Sequence, residues 1–155
     1  MLRITLASLH LLALGIGFGA VWGRAVGLSE PLDLPTMQRA FRADSWWGIA
    51  AVLWIATGLW RLVGATEKST AYYMHNHVFF AKMGFLVLIL ALEIWPMVTL
   101  VRWRLIAGRR AVAWHPSPIA AKRIALISYI EMGLIVCMVV TAVMMARGIG
   151  TSTGG

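Results

Sequence analysis

The chain has 155 residues, 60% of them hydrophobic and 13% charged, with a formal net charge of +8. So apolar a composition excludes an ordinary soluble globular domain and indicates a membrane protein. Nucleic-acid binding is excluded as the reason for the basic excess, because membrane topology accounts for where the basic residues lie.

Four apolar runs, about residues 4–23, 46–62, 78–101 and 119–145, each come near the ~20 residues that cross the hydrocarbon core of a bilayer. They predict an all-α integral membrane four-helix bundle in a single domain over 1–147, followed by a disordered Gly/Ser/Thr tail over 148–155. The connections after spans one and three hold Arg24, Arg39, Arg42, Arg102, Arg104, Arg109, Arg110, Lys122 and Arg123, nine basic residues. The opposite side holds Arg3, Arg61, Lys68 and Arg147, which are four. The positive-inside bias then places both termini outside a bacterial inner membrane and the Arg-bearing loops in the cytoplasm, against anionic lipid headgroups. Trp22, Trp46, Trp47, Trp95, Trp103 and Trp114 fall at the inner interface and Trp60 at the outer one, as an aromatic belt requires.

Span one carries Gly15, Gly19 and Gly23 at four-residue intervals, a small-residue stripe suited to close helix packing in lipid. His10 lies on roughly the opposite face, with Gly17 beneath it. In the first connection, Asp33 caps a short interfacial helix with Pro35 in its first turn, and Asp44 or Ser45 then starts span two. Span two holds no charge until Arg61 at its outer end.

The stretch 72–104, YYMHNHVFFAKMGFLVLILALEIWPMVTLVRWR, is unusual among these runs. A charge near the middle of a membrane helix costs about 2.5 to 3.5 kcal/mol on insertion scales, so Lys82 and Glu93 in one apolar span require partners. If the helix begins by about Tyr73, then His75, Lys82 and Glu93 share one face, their separations being near whole turns. Pro96 is expected to loosen the helix beside Glu93. Span four carries Glu131 at a depth similar to that of Glu93, where the two carboxylates share a proton, pair with Arg24 or Arg42, or face a cavity. Cys137 has no partner cysteine and reads as a small core residue, and the methionines of span four read as packing.

Set side by side as antiparallel spans, the polar residues sort into two layers. The outer layer holds His10, Arg61, His75, His77 and Lys82, with Glu67 the nearby acid in sequence. The inner layer holds Arg24, Arg42, Asp44, Glu93 and Glu131. An outer layer of imidazoles and cations calls for an anionic ligand, and haem b suits both halves of it. His10, joined by His75 or His77, ligates the iron, so that His10 and His77 are one candidate metal pair, while Arg61 and Lys82 meet the propionates. A quinone headgroup or a lipid phosphate would use the same residues.

His10 in span one, RADSWWGIAAVLWIATGLWR over 42–61, YY at 72–73, NHVFFAKM over 76–83 and WPMVTLVRWR over 95–104 together resemble a family of four-span bacterial membrane proteins defined as a domain of unknown function. More distantly, a histidine in an early span and a lysine after aromatic residues in a later one are similar to HemJ-type protoporphyrinogen oxidases and CopD-type copper-resistance proteins. The HemJ resemblance implies that His10 is the haem-linked histidine and Lys82 the functional lysine.

Three functions are consistent with these residues. One is a haem b or porphyrin protein with redox or electron-transfer activity, a membrane oxidoreductase in which Lys82, Glu93 and Glu131 handle protons. Another is a small proton or metal transporter that uses Glu93, Glu131, Lys82 and His10. The third is an accessory subunit that docks through the glycine stripe into a homo-oligomer or a larger membrane complex.

Overall fold

The computed structural model describes residues 1–64, 70–109 and 115–150. Glu67, Lys68, Arg110 and Trp114, and the part of the expected tail from 151 to 155, lie outside the described residues. Among the described residues five helices follow in chain order: α1 Leu2–Ser29, α2 Leu34–Val63, the single turn α3 Thr70–Met74, α4 His77–Arg109 and α5 Pro118–Ala146. The four longer helices have the length and apolar character to cross a membrane.

Local chemistry sets where these helices begin. Asp33 caps α2, its Oδ1 accepting from the Thr36 N–H at 2.8 Å, and Pro35 occupies the first turn, where its missing N–H is harmless. Ser117 caps α5 in the same manner, with Pro118 opening the helix. The interfacial helix expected after Asp33 does not stand apart from span two. The chain continues helically through Asp44 and Ser45 as one 30-residue helix, because the apolar face of Met37, Ala40 and Phe41 packs into the bundle. Asp44 is therefore a mid-helix residue and not a cap.

The cap of α2 carries a pH-dependent prediction. Hydrogen bonds from Thr36, through its side chain and then its backbone N–H, hold the Asp33 carboxyl below its ordinary range, with a smaller contribution from Arg39. A lowered folded-state pKa stabilises the helix start above the unfolded value, and that contribution is lost as pH falls through the folded value. Amide exchange at Thr36 and Met37, corrected for its intrinsic pH dependence, is expected to accelerate as pH drops below about 4, and Asp33→Asn to remove that acceleration.

α1 packs along α2 and α5, and α5 along α4, whereas α2 meets α4 over only a short stretch. Two apolar clusters hold the four together. At the end that carries the Arg-rich connections, here the basic end, Leu28, Met37, Phe41, Leu100, Trp103 and Ile124 interlock. Ala13, Val21, Trp47, Trp54, Ile89, Ile135 and Met138 fill the middle. Outside these clusters large apolar side chains point away from the bundle, among them Leu12, Val52, Leu88, Ile94 and Val136. An apolar exterior on that scale suits lipid and not water.

Several placements differ from expectation. Of the glycine stripe, Gly15 and Gly19 face open space and Gly23 approaches Ala43 of α2, while Gly17, on the His10 side of α1, takes Trp47 and Ala50 against its backbone. The α1–α2 contact thus needs knob and hole on the helix face that also carries the polar residues. Trp47 and Trp103 are core residues and not members of an aromatic belt, whereas Trp22, Trp46, Trp60 and Trp95 face outward. Cys137 also faces outward. α4 runs through Pro96 without a break. Gly148, Ile149 and Gly150, assigned above to a disordered tail, form a turn tied to the start of α4: the Ile149 carbonyl accepts from Asn76 Nδ2 at 3.2 Å and the Gly150 carbonyl from the His77 N–H at 3.2 Å.

Candidate functional site

Two polar sites occupy opposite halves of the bundle. At the basic end, α1 runs five residues past Arg24, so this side chain projects into the bundle and is wholly buried. All five guanidinium N–H groups are used. Nε donates to Ser128 Oγ at 2.9 Å, and Nη1 donates to Asp44 Oδ1 at 3.1 Å and Glu93 Oε1 at 2.6 Å. Nη2 donates to Glu93 Oε2 at 2.7 Å and Glu131 Oε2 at 2.8 Å. Glu93 is thereby bound in the two-pronged geometry that gives Arg–carboxylate pairs their strength. One arginine ties α1 to the three other spanning helices.

Ser128 passes the chain on by donating to the Ile124 carbonyl at 2.9 Å. Arg104 reaches Asp44 Oδ2 at 3.5 Å and donates to the Phe41 carbonyl at 2.7 Å, its guanidinium lying 5.4 Å from the Phe41 ring centre. Arg104 also lines an open groove with Gln38, Phe41, Arg42 and Ser45. The expected inner layer is therefore present with one replacement: Arg42 is exposed, and Arg104 stands where it was placed.

The opposite half contains a cavity of about 610 Å³ walled by all four long helices and α3. That volume is typical of a small-molecule site. Its walls are largely apolar, and its polar residues are His10, Arg61, Lys82, Tyr72, Tyr73 and Trp54. His10 Nδ1 lies 2.9 Å from Thr57 Oγ1, which is also 2.7 Å from the Leu53 carbonyl and 3.1 Å from that of Trp54. With the threonine proton on a carbonyl, the hydroxyl oxygen accepts from Nδ1–H, and Nε2 is the ring nitrogen directed away from Thr57. Gly58 leaves room for this ring, since a Cβ there would meet His10 Cε1 at 3.2 Å. Trp54 stacks obliquely beside the imidazole at 5.8 Å and is itself 6% exposed. Its indole N–H has no acceptor among the described residues.

Of the outer-layer residues, His10, Arg61 and Lys82 share this cavity. His75 and His77 do not line it, and both are exposed. The cause is local. α3 ends at Met74 and α4 begins at His77, so His75 falls between helices and off the face that Lys82 and Glu93 share. Asn76 makes the junction: wholly buried, it caps α4 with Oδ1 accepting from Val78 N–H at 2.9 Å.

Thr57, Trp54, Ser128, Arg104 and Asn76 were not singled out by sequence. A polar residue facing inward at the depth of a known one was the usable signal for Thr57 and Ser128. Arg104 and Asn76 gave none, since both read as ordinary loop-proximal residues. Among the described residues no group of three or more His, Cys, Asp or Glu side chains is placed to hold a metal ion.

A bundle of four apolar helices with buried ion pairs and an outward apolar surface is an integral membrane protein. The chain belongs to the family described as predicted membrane protein (DUF2214), whose pattern it matches over residues 2–150. No curated protein and no solved structure matches it.

Proposed function

We propose that the cavity binds haem b, or a porphyrin of like shape, and that the protein serves redox or electron-transfer chemistry in a bacterial inner membrane. The observation that carries this reading is the convergence of His10, Arg61 and Lys82 on one largely apolar cavity. The donor set fits the group in a particular way. An imidazole whose Nδ1–H is held by Thr57 presents Nε2 as ligand, the arrangement that orients metal-binding histidines generally. Two cations in the same cavity suit two propionates. With His75 and His77 off the cavity wall, the reading uses one protein imidazole and not a pair. When bound, the haem supplies one-electron chemistry, and this chain's residues orient it, shield it from water and compensate its charge. His10 and Lys82 are also the pair implied by the HemJ resemblance, which makes porphyrinogen oxidation the reaction to assay first.

Detergent-purified protein incubated with haemin is expected to show a Soret band that His10→Ala loses and that added imidazole restores. Arg61→Ala and Lys82→Ala are expected to keep the band but release haem more readily on dilution. A protein that stays colourless with haemin overturns the proposal.

A second reading, proton or metal transport, is favoured by the buried carboxylates around Arg24. Between them and the cavity, however, lie Val21, Trp47, Ile89 and Ile135, all buried and apolar. Transport through the bundle would therefore require that layer to open. Flux into liposomes that Glu131→Gln abolishes while the protein stays folded would select transport over haem binding.

A further inference from the structure

The cluster around Arg24 has an unequal count of charges. Asp44, Glu93 and Glu131 contribute three negative charges when ionised, while Arg24 and Arg104 contribute two positive ones, leaving one negative charge in a buried site. Among the groups facing the cluster, α1 supplies Arg24, α2 Asp44, α4 Glu93 and Arg104, and α5 Glu131 with the neutral Ser128. No other charged side chain among the described residues contacts it.

The three carboxylates are not equivalent. Glu93 has both oxygens on Arg24, and Asp44 has one on Arg24 and the other near Arg104. Glu131 is wholly buried and has Oε2 on Arg24, but Oε1 receives no hydrogen bond from any described residue. A buried carboxylate oxygen without a donor is costly, and a proton on that oxygen removes the excess charge and leaves a neutral acid, which costs far less to bury than an ion.

We propose that the Arg24 cluster is a binding site for a single proton, carried on Glu131 Oε1 and exchanged with the aqueous phase at the basic end. Asp44 and Arg104, with the open groove beside Arg104, give it a polar route to that end. The apolar layer of Val21, Trp47, Ile89 and Ile135 separates it from the cavity. The site is thus one-sided in this conformation, loading from the end that the basic loops mark. It is independent of haem binding and stands or falls separately.

Infrared difference spectroscopy of the purified wild-type protein tests the idea. A carbonyl stretch of a protonated carboxyl group, shifted by deuterium exchange, is expected at neutral pH, and Glu131→Gln is expected to remove it. Because glutamine matches a neutral glutamic acid in shape, Glu131→Gln is also expected to keep the wild-type thermal midpoint within a few degrees. Glu93→Gln, which replaces a carboxylate held by two Arg24 bonds, is expected to lower that midpoint far more. Absence of the carbonyl band, its persistence in Glu131→Gln, or a Glu131→Gln protein as unstable as Glu93→Gln overturns the proposal.

Discussion

Arg24→Leu is expected to abolish recovery of a folded, monodisperse protein from detergent. The substitution removes all five donors at once and leaves Asp44, Glu93 and Glu131 facing one another in a buried space. Breaking a single buried ion pair costs about 3 to 5 kcal/mol, chiefly because the surviving charge is left uncompensated. The Asp44 and Glu93 carboxylates and the Glu131 carboxyl group all lose their shared partner here, and a total near or above that range rivals the whole stability of a typical domain. Arg24→Lys keeps the charge but has three donors on a point-like ammonium and cannot reproduce the two-pronged bond to Glu93, so an intermediate loss is expected. Combining Arg24→Leu with Asp44→Asn, Glu93→Gln and Glu131→Gln removes the stranded charges and is expected to recover part of the folded yield. Fluorescence-detected size exclusion after a temperature ramp reads all of these. If the single Arg24→Leu protein behaves like wild type, Arg24 does not hold the helices together.

Gly17→Leu is expected to separate α1 from α2. A Cβ at position 17 would lie 3.0 Å from Trp47 Cζ3 and 3.2 Å from Cε3, and Ala50 Cβ is at 3.4 Å. Trp47 is held in the central cluster at 4% exposure and has no space into which to withdraw. Overfilling a packed interior costs about 1 to 3 kcal/mol. For Gly17→Ala the outcome is closer, because alanine gains up to about 1 kcal/mol in helix propensity over glycine while the tight contact opposes it. For leucine, steric conflict wins. Gly15→Ala and Gly19→Ala meet nothing within 4 Å and are expected to be neutral or stabilising. Thermal midpoints of the four variants in one detergent check the contrast, and equal behaviour of positions 15 and 17 contradicts it.

How these two glycine positions differ shows how far sequence carries. Periodicity correctly put His10 and Gly17 on one face of α1 and the stripe of Gly15 and Gly19 on the other. Which face meets a neighbouring helix is not contained in that periodicity, since lipid and a helix partner are both apolar surroundings. Trp47 posed the same difficulty: tryptophan near a membrane interface satisfies either a belt or a core.

For the sites, the residue types and their depths were legible, and their partners were not. Counting residues from the span ends placed Glu93 beside Glu131, and Lys82 with His10, because helix rise converts sequence position into height. Height alone does not choose between Arg24, Arg42 and Arg104 as counter-ions, because long side chains reach across more than a turn. Nor does it locate a helix start, and the break at His75 and Asn76 decided which histidines reach the cavity.

Composition and charge distribution by themselves determined the membrane class, the number of spans and the division of polar groups into two layers, since solvation of apolar and charged groups operates residue by residue. Only the tertiary structure decided that Arg24 gathers three carboxylates, that His10 but neither His75 nor His77 faces the cavity, and that an apolar layer lies between the two sites. Those depend on the rotation of each helix about its axis, which is set by contacts between helices far apart in the chain.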